Sequence, residues 1–228
     1  MDALQIFDEW GTYEKVVAGD YMHHREFFEA LMDEVDEMLV EPLTIIDIGC
    51  GDVRPVLGLL ERFQVKHYVG IDQSKAALEL ARKSLSRLNI SYDLQYGSML
   101  DELSAMNGYF DLAIAAYSLH HLDRLDKQAA LLECRRLLRP DNILAVIDVF
   151  MDECETRPTY FGRWKDNAVK TFTTLTSDEL QELIDHVHRC DFPETVSAYH
   201  EIGCAAGFSS VTSIREDRER LNKLVVLN

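Results

Sequence analysis

The stretch that most constrains this chain is a short apolar run ending in a glycine turn. Residues 43–55 read LTIIDIGCGDVRP. Leu43, Thr44, Ile45, Ile46 and Ile48 form the partly β-branched pattern of a strand buried on both faces of a parallel sheet. Gly49-Cys50-Gly51 breaks that pattern, and Pro55 suits the first turn of a helix. The stretch therefore predicts strand, glycine turn, helix. Glycines at such a turn let backbone approach a ligand, and the helix start offers unpaired N–H groups. A small-molecule site is the expectation. Asp47 places a charge inside the buried run, so hydrogen bonds must offset its desolvation.

The same alternation repeats along the chain. Helix is predicted over 2–18, broken at Gly11, and over 21–39 with Asp20 as its cap. After the glycine turn come a helix over 55–63, a strand over 66–71 ending at Asp72, and a helix over 74–87 capped by Ser74. A strand over 92–96 leads to a Gly97-Ser98 turn and a connection to about Met106. A strand over 110–116 is followed by a helix over 127–138 capped by Asp126. Pro140-Asp141-Asn142 then turns into a strand over 143–149. Four strand–helix units in a row imply a parallel sheet with helices on both faces, an α/β Rossmann-like sandwich. Residues 150–173 break the alternation and predict no regular element. Thr176 with Glu179 is a capping-box signature for a helix over 177–190. Pro193 opens a helix over 194–206 that ends before Gly207, and strands over 209–215 and 222–227 close the chain. A single domain over 1–228 is expected, with 1–39 as a helical lid or cover and 150–195 as a substrate-side insertion.

Charge narrows the partners. Lys and Arg number 23 against 40 Asp and Glu, a formal net charge of −17. Nucleic acid and anionic membrane are repelled by such a balance at long range. No apolar run reaches the about 18 residues of a membrane span. The N-terminus lacks a basic-then-apolar leader, and the five cysteines (Cys50, Cys134, Cys154, Cys190, Cys204) are unspaced. Both features fit reduced thiols and a cytoplasmic location.

Two ligands compete for the glycine turn. A dinucleotide fingerprint, GxGxxG, would need glycine at position 54, where Arg54 stands. The other reading is a family resemblance. Asp47-Ile48-Gly49-Cys50-Gly51 resembles the first motif, (D/E)xGxGxG, of class I S-adenosylmethionine (SAM) methyltransferases, with Val53 in place of the last glycine. Val69-Gly70-Ile71-Asp72 resembles their second motif. Phe110 to Leu122 (FDLAIAAYSLHHL) resembles their fourth in its small-molecule form. Arg136 to Asn142 (RLLRPDN) is similar to the helix-to-strand passage that follows. The likeness covers about residues 40–150, and the two closing strands fit the family's seven-stranded, mostly parallel sheet with an antiparallel last strand.

The resemblance implies a cofactor site. Asp72 would present its carboxylate to both ribose hydroxyls, with Gln73 near the adenine. Ser98 and backbone at Met99 would stand where the family often has an acid for the adenine amino group. Gly49, Cys50, Gly51 and Ala116 would line the methionine end. Asp47 would either order the glycine loop or sit near the cofactor's amino group. S-adenosylhomocysteine would be the product.

The acceptor is less legible. His121, just past the fourth strand, lies on the rim where open α/β sheets bind ligands, and its ordinary pKa of about 6.5 suits a general base. It also suits a packing role, and His120 is expected to face away. Tyr117 would close over the methyl donor or pack. Tyr13, Tyr160 and Trp164 are candidate substrate walls, with Trp10 and Phe161 beside them. His23 and His24 are expected at the surface. On a helix only His186 and Cys190 share a face, so this pair reads as a solvated or packed face, and no metal is expected. The reading is direct in-line methyl transfer from SAM to a small molecule by a monomer or homodimer. A SAM-binding protein without catalysis is the alternative.

Overall fold

The computed structural model describes residues 10–228, without the side chains of Trp10 and Tyr13. The part of the first helix expected before Trp10, and the expectations placed on those two rings, lie outside the described residues. Seven strands form one sheet in the order β3-β2-β1-β4-β5-β7-β6. They are β1 (Leu43–Ile48), β2 (Val65–Asp72), β3 (Ser91–Tyr96), β4 (Phe110–Ala116), β5 (Leu138–Val149), β6 (Val211–Glu216) and β7 (Asn222–Leu227). β1 to β5 run parallel, and β7 is antiparallel to both β5 and β6. The order reverses between β1 and β4, and in open α/β sheets the crevice at that switch is where ligands bind.

Nine α-helices are described: α1 (Trp10–Ala18), α2 (His24–Met38), α3 (Leu57–Arg62), α4 (Lys75–Leu85), α5 (Met99–Ala105), α6 (Arg124–Leu137), α7 (Arg157–Thr171), α8 (Ser177–Cys190) and α9 (Val196–Ala205). Two buried clusters fill the two faces of the sheet. Phe27 and Leu31 of α2, Leu59 of α3 and Leu78 of α4 pack on one face. Leu103 of α5, Leu131 of α6 and Tyr199 of α9 pack on the other. A third, smaller cluster joins Val16 of α1 to Ala168 of α7 and to Phe172, with Leu180 and Leu183 of α8 against it. It brings the first helix and the 157–190 section to the same end of the molecule.

Several local expectations hold. Ser74 accepts from the Ala77 N–H at 3.2 Å and caps α4, and Thr176 with Glu179 forms the capping box of α8. Others need correction. The cap of α6 is Asp123, which accepts from the Asp126 N–H at 2.9 Å, so the helix starts three residues early. α2 begins at His24 behind a left-handed His23; Asp20, itself at φ 51, is not the residue before the helix but its Oδ1 accepts from the Arg25 N–H of the first turn at 3.4 Å. α9 begins at Val196 with Thr195 as cap, not at Pro193. β5 already starts at Leu138. The Pro140 turn is an irregularity within it, with Asp141 at φ 66 where the register against β4 shifts. The 150–173 stretch contains a full helix, α7, capped by Thr156 with a proline in its first turn.

Candidate active site

The glycine turn is built by close approach. Gly49 lies at φ +74, and a Cβ there would fall 2.4 Å from the Ser118 Cβ. Ser118 follows β4 and donates its hydroxyl to the Ile48 carbonyl at 2.6 Å, locking the ends of β1 and β4 together. Gly51 lies at φ +53 and meets open space. Val53 takes φ 61 and ψ 2, the left-handed conformation that glycine adopts at no cost, with its side chain fully buried. The loop keeps its path without the third glycine, at the steric cost of a β-branched residue in that region.

Asp72, at the end of β2, faces this turn. Its Oδ2 accepts the Gly51 N–H at 2.8 Å and its Oδ1 the Ser74 N–H at 2.7 Å. Burial raises its carboxyl above the usual range, against the pull of those donors. Each carboxylate oxygen keeps a second lone pair, so the group is oriented and can still accept from a diol. Asp47 is buried and accepts from the Tyr68 hydroxyl at 2.7 Å. Burial pushes its pKa to about 7. Gly70 leaves room beside this pair: a Cβ there would lie 2.8 Å from the Cys50 Sγ.

One cavity runs from this turn to the 157–191 section. Gly49, Gly51, Asp72, Gln73, Gly97 and Met99 line one end, and Tyr117, Ser118 and Leu122 the middle. His120, His121, Trp164, Phe172, His186 and Asp191 line the other end, with Thr12, Val16, Tyr21 and Met22 as its cover. Of the residues expected from sequence, Gly49, Gly51, Asp72, Gln73, Met99, Tyr117, His121 and Trp164 are thus brought together. Asp47, Cys50, Ser98, Ala116 and Tyr160 do not line the cavity. Tyr160 is fully buried with its hydroxyl toward the Leu221 carbonyl at 3.4 Å.

Tyr117 sits at φ 52 and donates its hydroxyl to the Met22 carbonyl, tying β4 to the segment before α2. Burial holds its pKa well up, so it acts as a donor. His24 is buried against the Tyr117 ring at 4.8 Å, a correction to its expected surface place, and burial lowers its pKa to about 4.

The histidine end is richer than the sequence indicated. His120 does not face away: it is buried, its Nδ1 is hydrogen-bonded to Asp148 Oδ1, and its own N–H donates to Asp148 Oδ2 at 3.0 Å. Burial alone would lower its pKa, but the Asp148 and Asp191 carboxylates outweigh that and raise it to about 9. His121 is held well below its ordinary value by burial and by the neighbouring His120 and His186, so it is neutral. Its Nδ1 lies 3.5 Å from the Cys190 carbonyl and 3.6 Å from Asp191 Oδ1. His186 is buried with its ring centroid 5.6 Å from that of His121, the packed alternative of the two read from the sequence. The Phe192 N–H donates to the His120 carbonyl at 2.7 Å, and the buried Lys127 donates to the Phe192 carbonyl at 2.6 Å. These bonds bring Asp191 to the histidines. Asp148 and Asp191 were not foreseen, and His186 was weighed only with Cys190, since only the fold joins them to His120 and His121; the hint for Asp148 was a charge inside the apolar run of β5.

The comparisons bear on the fold. A family model described as a methyltransferase domain matches residues 45–141. An O-methyltransferase of Pyrenophora dematioidea is 29% identical over 61% of this chain and 51% of its own length. An O-methyltransferase of Aspergillus sclerotiorum is 25% identical over 80% of this chain and 74% of its own. Among solved structures, an O-methyltransferase family protein from Burkholderia thailandensis superposes with a TM-score of 0.63 at 15% identity, over 88% of this chain and 55% of that one. The chain thus spans about half the length of the first of these relatives and of that structure. In motif and fold the chain is similar to the class I methyltransferases, and the relatives it matches are named O-methyltransferases. Among the described residues no helix is long and apolar enough to cross a membrane.

Proposed function

We propose that the chain transfers a methyl group from SAM to a hydroxyl oxygen of a small molecule. The observation that carries this is the joining, in one cavity, of the Asp72–glycine turn to the histidine–aspartate end. The turn fits the cofactor: Gly51 offers open space at a left-handed position, and Asp72 offers an oriented acceptor pair. When bound, SAM supplies a methyl already activated by its sulfonium, which passes to the acceptor oxygen in line with the C–S bond while that bond's electron pair stays on sulfur. The chain's part is alignment, which can supply much of the rate by itself. Trp164 and Phe172 flank the acceptor, and Thr12, Val16, Tyr21 and Met22 exclude water. His121, neutral and oriented toward Asp191, is the group that takes the acceptor's proton. Two relatives named O-methyltransferases support oxygen as the atom methylated. The acidic surface favours a neutral or cationic acceptor and disfavours nucleic acid.

Calorimetry with SAM, S-adenosylhomocysteine and NADH tests the cofactor, and incubation of hydroxylated metabolite extracts with methyl-labelled SAM tests the transfer. Tight binding of NADH without SAM would overturn the reading. Binding of SAM with no label incorporated from any extract would favour a non-catalytic SAM-binding protein.

A further inference from the structure

The histidine end holds more ligand atoms than proton transfer needs. The Asp148 carboxylate holds His120 at both its Nδ1 and its backbone N–H. This fixes the ring with Nε2 3.7 Å from Asp191 Oδ1. His121 Nδ1 approaches the same oxygen at 3.6 Å. The three donor atoms lie within 4.8 Å of one another. Asp191 is only 6% exposed, yet its Oδ1 makes no hydrogen bond. The charged His120 ring at 3.7 Å offsets the charge without bonding to this oxygen, and a buried carboxylate oxygen left without a bond is costly. A bound metal would take the place of the His120 proton and bond to the oxygen.

We propose that His120, His121 and Asp191 bind a divalent transition-metal cation such as Zn2+ at the acceptor end of the cavity. Two imidazoles and one carboxylate suit that class of ion and not Ca2+ or Mg2+. Ligands about 2.1 Å from a tetrahedral ion stand about 3.4 Å apart, so the two distances to Asp191 Oδ1 need close by only a few tenths of an ångström. A carboxylate behind a ligating histidine, as Asp148 stands behind His120, is the usual support of such a ligand. Three protein ligands leave a fourth position toward the cavity, which is how catalytic zinc sites are built. This departs from the metal-free reading of the sequence. The role that follows rests on the proposed methyl transfer: an acceptor hydroxyl bound at the fourth position would lose its proton to water more readily, and His121 would act as ligand instead of base. The binding of the metal does not depend on it.

The test is titration of the chelator-treated full chain with Zn2+ by calorimetry and with Co2+ by visible absorption. One saturable equivalent of micromolar or tighter affinity is expected, with tetrahedral Co2+ bands and no thiolate charge-transfer band. Asp191→Asn should weaken binding at least about tenfold. His23→Asn, in the second acidic–histidine group with Asp217 and Glu219, and Cys204→Ser, beside the exposed His200, should leave it unchanged. Should Asp191→Asn fail to fold by circular dichroism, His121→Gln gives the same reading. Absence of saturable binding, unchanged affinity in a folded Asp191 or His121 variant, or loss in Cys204→Ser would overturn the site. SAM calorimetry on the same preparation separates the two proposals: SAM binding without metal leaves methyl transfer standing, and metal binding without SAM leaves only the metal site.

Discussion

Asp72 and Gly51 are joined across the mouth of the sheet by a 2.8 Å hydrogen bond from the Gly51 N–H to Asp72 Oδ2. The bond links the second strand to the turn after the first, so one carboxylate both shapes the loop and presents acceptors. Asp72→Asn keeps one acceptor oxygen and replaces the other with a donor. SAM affinity measured by calorimetry should fall by ~1.5–3 kcal/mol, roughly 10- to 100-fold. An unchanged dissociation constant in the folded variant would refute the ribose-binding role.

Val53 offers a test of strain. At an ordinary buried position glycine is less stable than alanine by roughly 0.5–1 kcal/mol. At φ 61 alanine carries a penalty of roughly 1–2 kcal/mol that glycine avoids. Both Val53→Ala and Val53→Gly should lose stability through the lost burial, by ~2–3 kcal/mol, but glycine should be no worse than alanine. Urea melts of the pair decide it; a clear advantage for alanine would mean that the loop relaxes out of the left-handed region.

Asp47 should make stability depend on pH. In the unfolded chain its pKa is the ordinary 3.8, and in the fold burial raises it to about 7. Between those values the folded protein keeps a proton that the unfolded chain releases. Its contribution therefore lowers stability progressively as pH rises through that window, and is fully unfavourable above it. Asp47→Asn removes this component. The stability of the wild type minus that of the variant should fall from pH 4 to pH 7 and then level off; parallel curves would contradict the raised pKa.

His121→Ala should slow turnover by roughly 10²- to 10⁴-fold while leaving SAM affinity within about twofold. The measurement is kcat beside calorimetric SAM binding, once an acceptor is found. Equal turnover in the variant would reduce His121 to packing.

What could be read from the chain follows the range of the interactions. β4 was placed at its observed bounds because Phe110 to Ala116 is apolar with a sharp change at Tyr117. The capping box at Thr176 and the cap at Ser74 are local hydrogen bonds and were equally visible. α7 was missed because Pro158, Gly162 and the aromatic residues Tyr160, Phe161 and Trp164 blur its periodicity. The cap of α6 was placed at the wrong one of two aspartates three residues apart, since each could precede a helix. The glycine-turn end of the cavity comes from consecutive strand ends and was legible in Gly49, Gly51 and Asp72. The histidine end was not. Asp148, His186 and Asp191 meet His120 and His121 only through the packing of the 157–191 section, which no spacing in the sequence records.

The cover over the cavity has a kinetic consequence. Lys15 of α1 reaches Glu179 of α8 at 2.5 Å, and the Tyr21 hydroxyl donates to Thr174 Oγ1 at 3.0 Å while its ring stacks on Phe172 at 4.5 Å. These contacts join the residues that roof the cavity, and on the proposed reading the exchange of bound molecules beneath them requires them to part. Departure must wait for the roof to lift, and the Lys15–Glu179 pair, open to solvent, weakens as ions screen it. Where release limits the cycle, added salt should speed turnover even as it leaves the buried chemistry untouched.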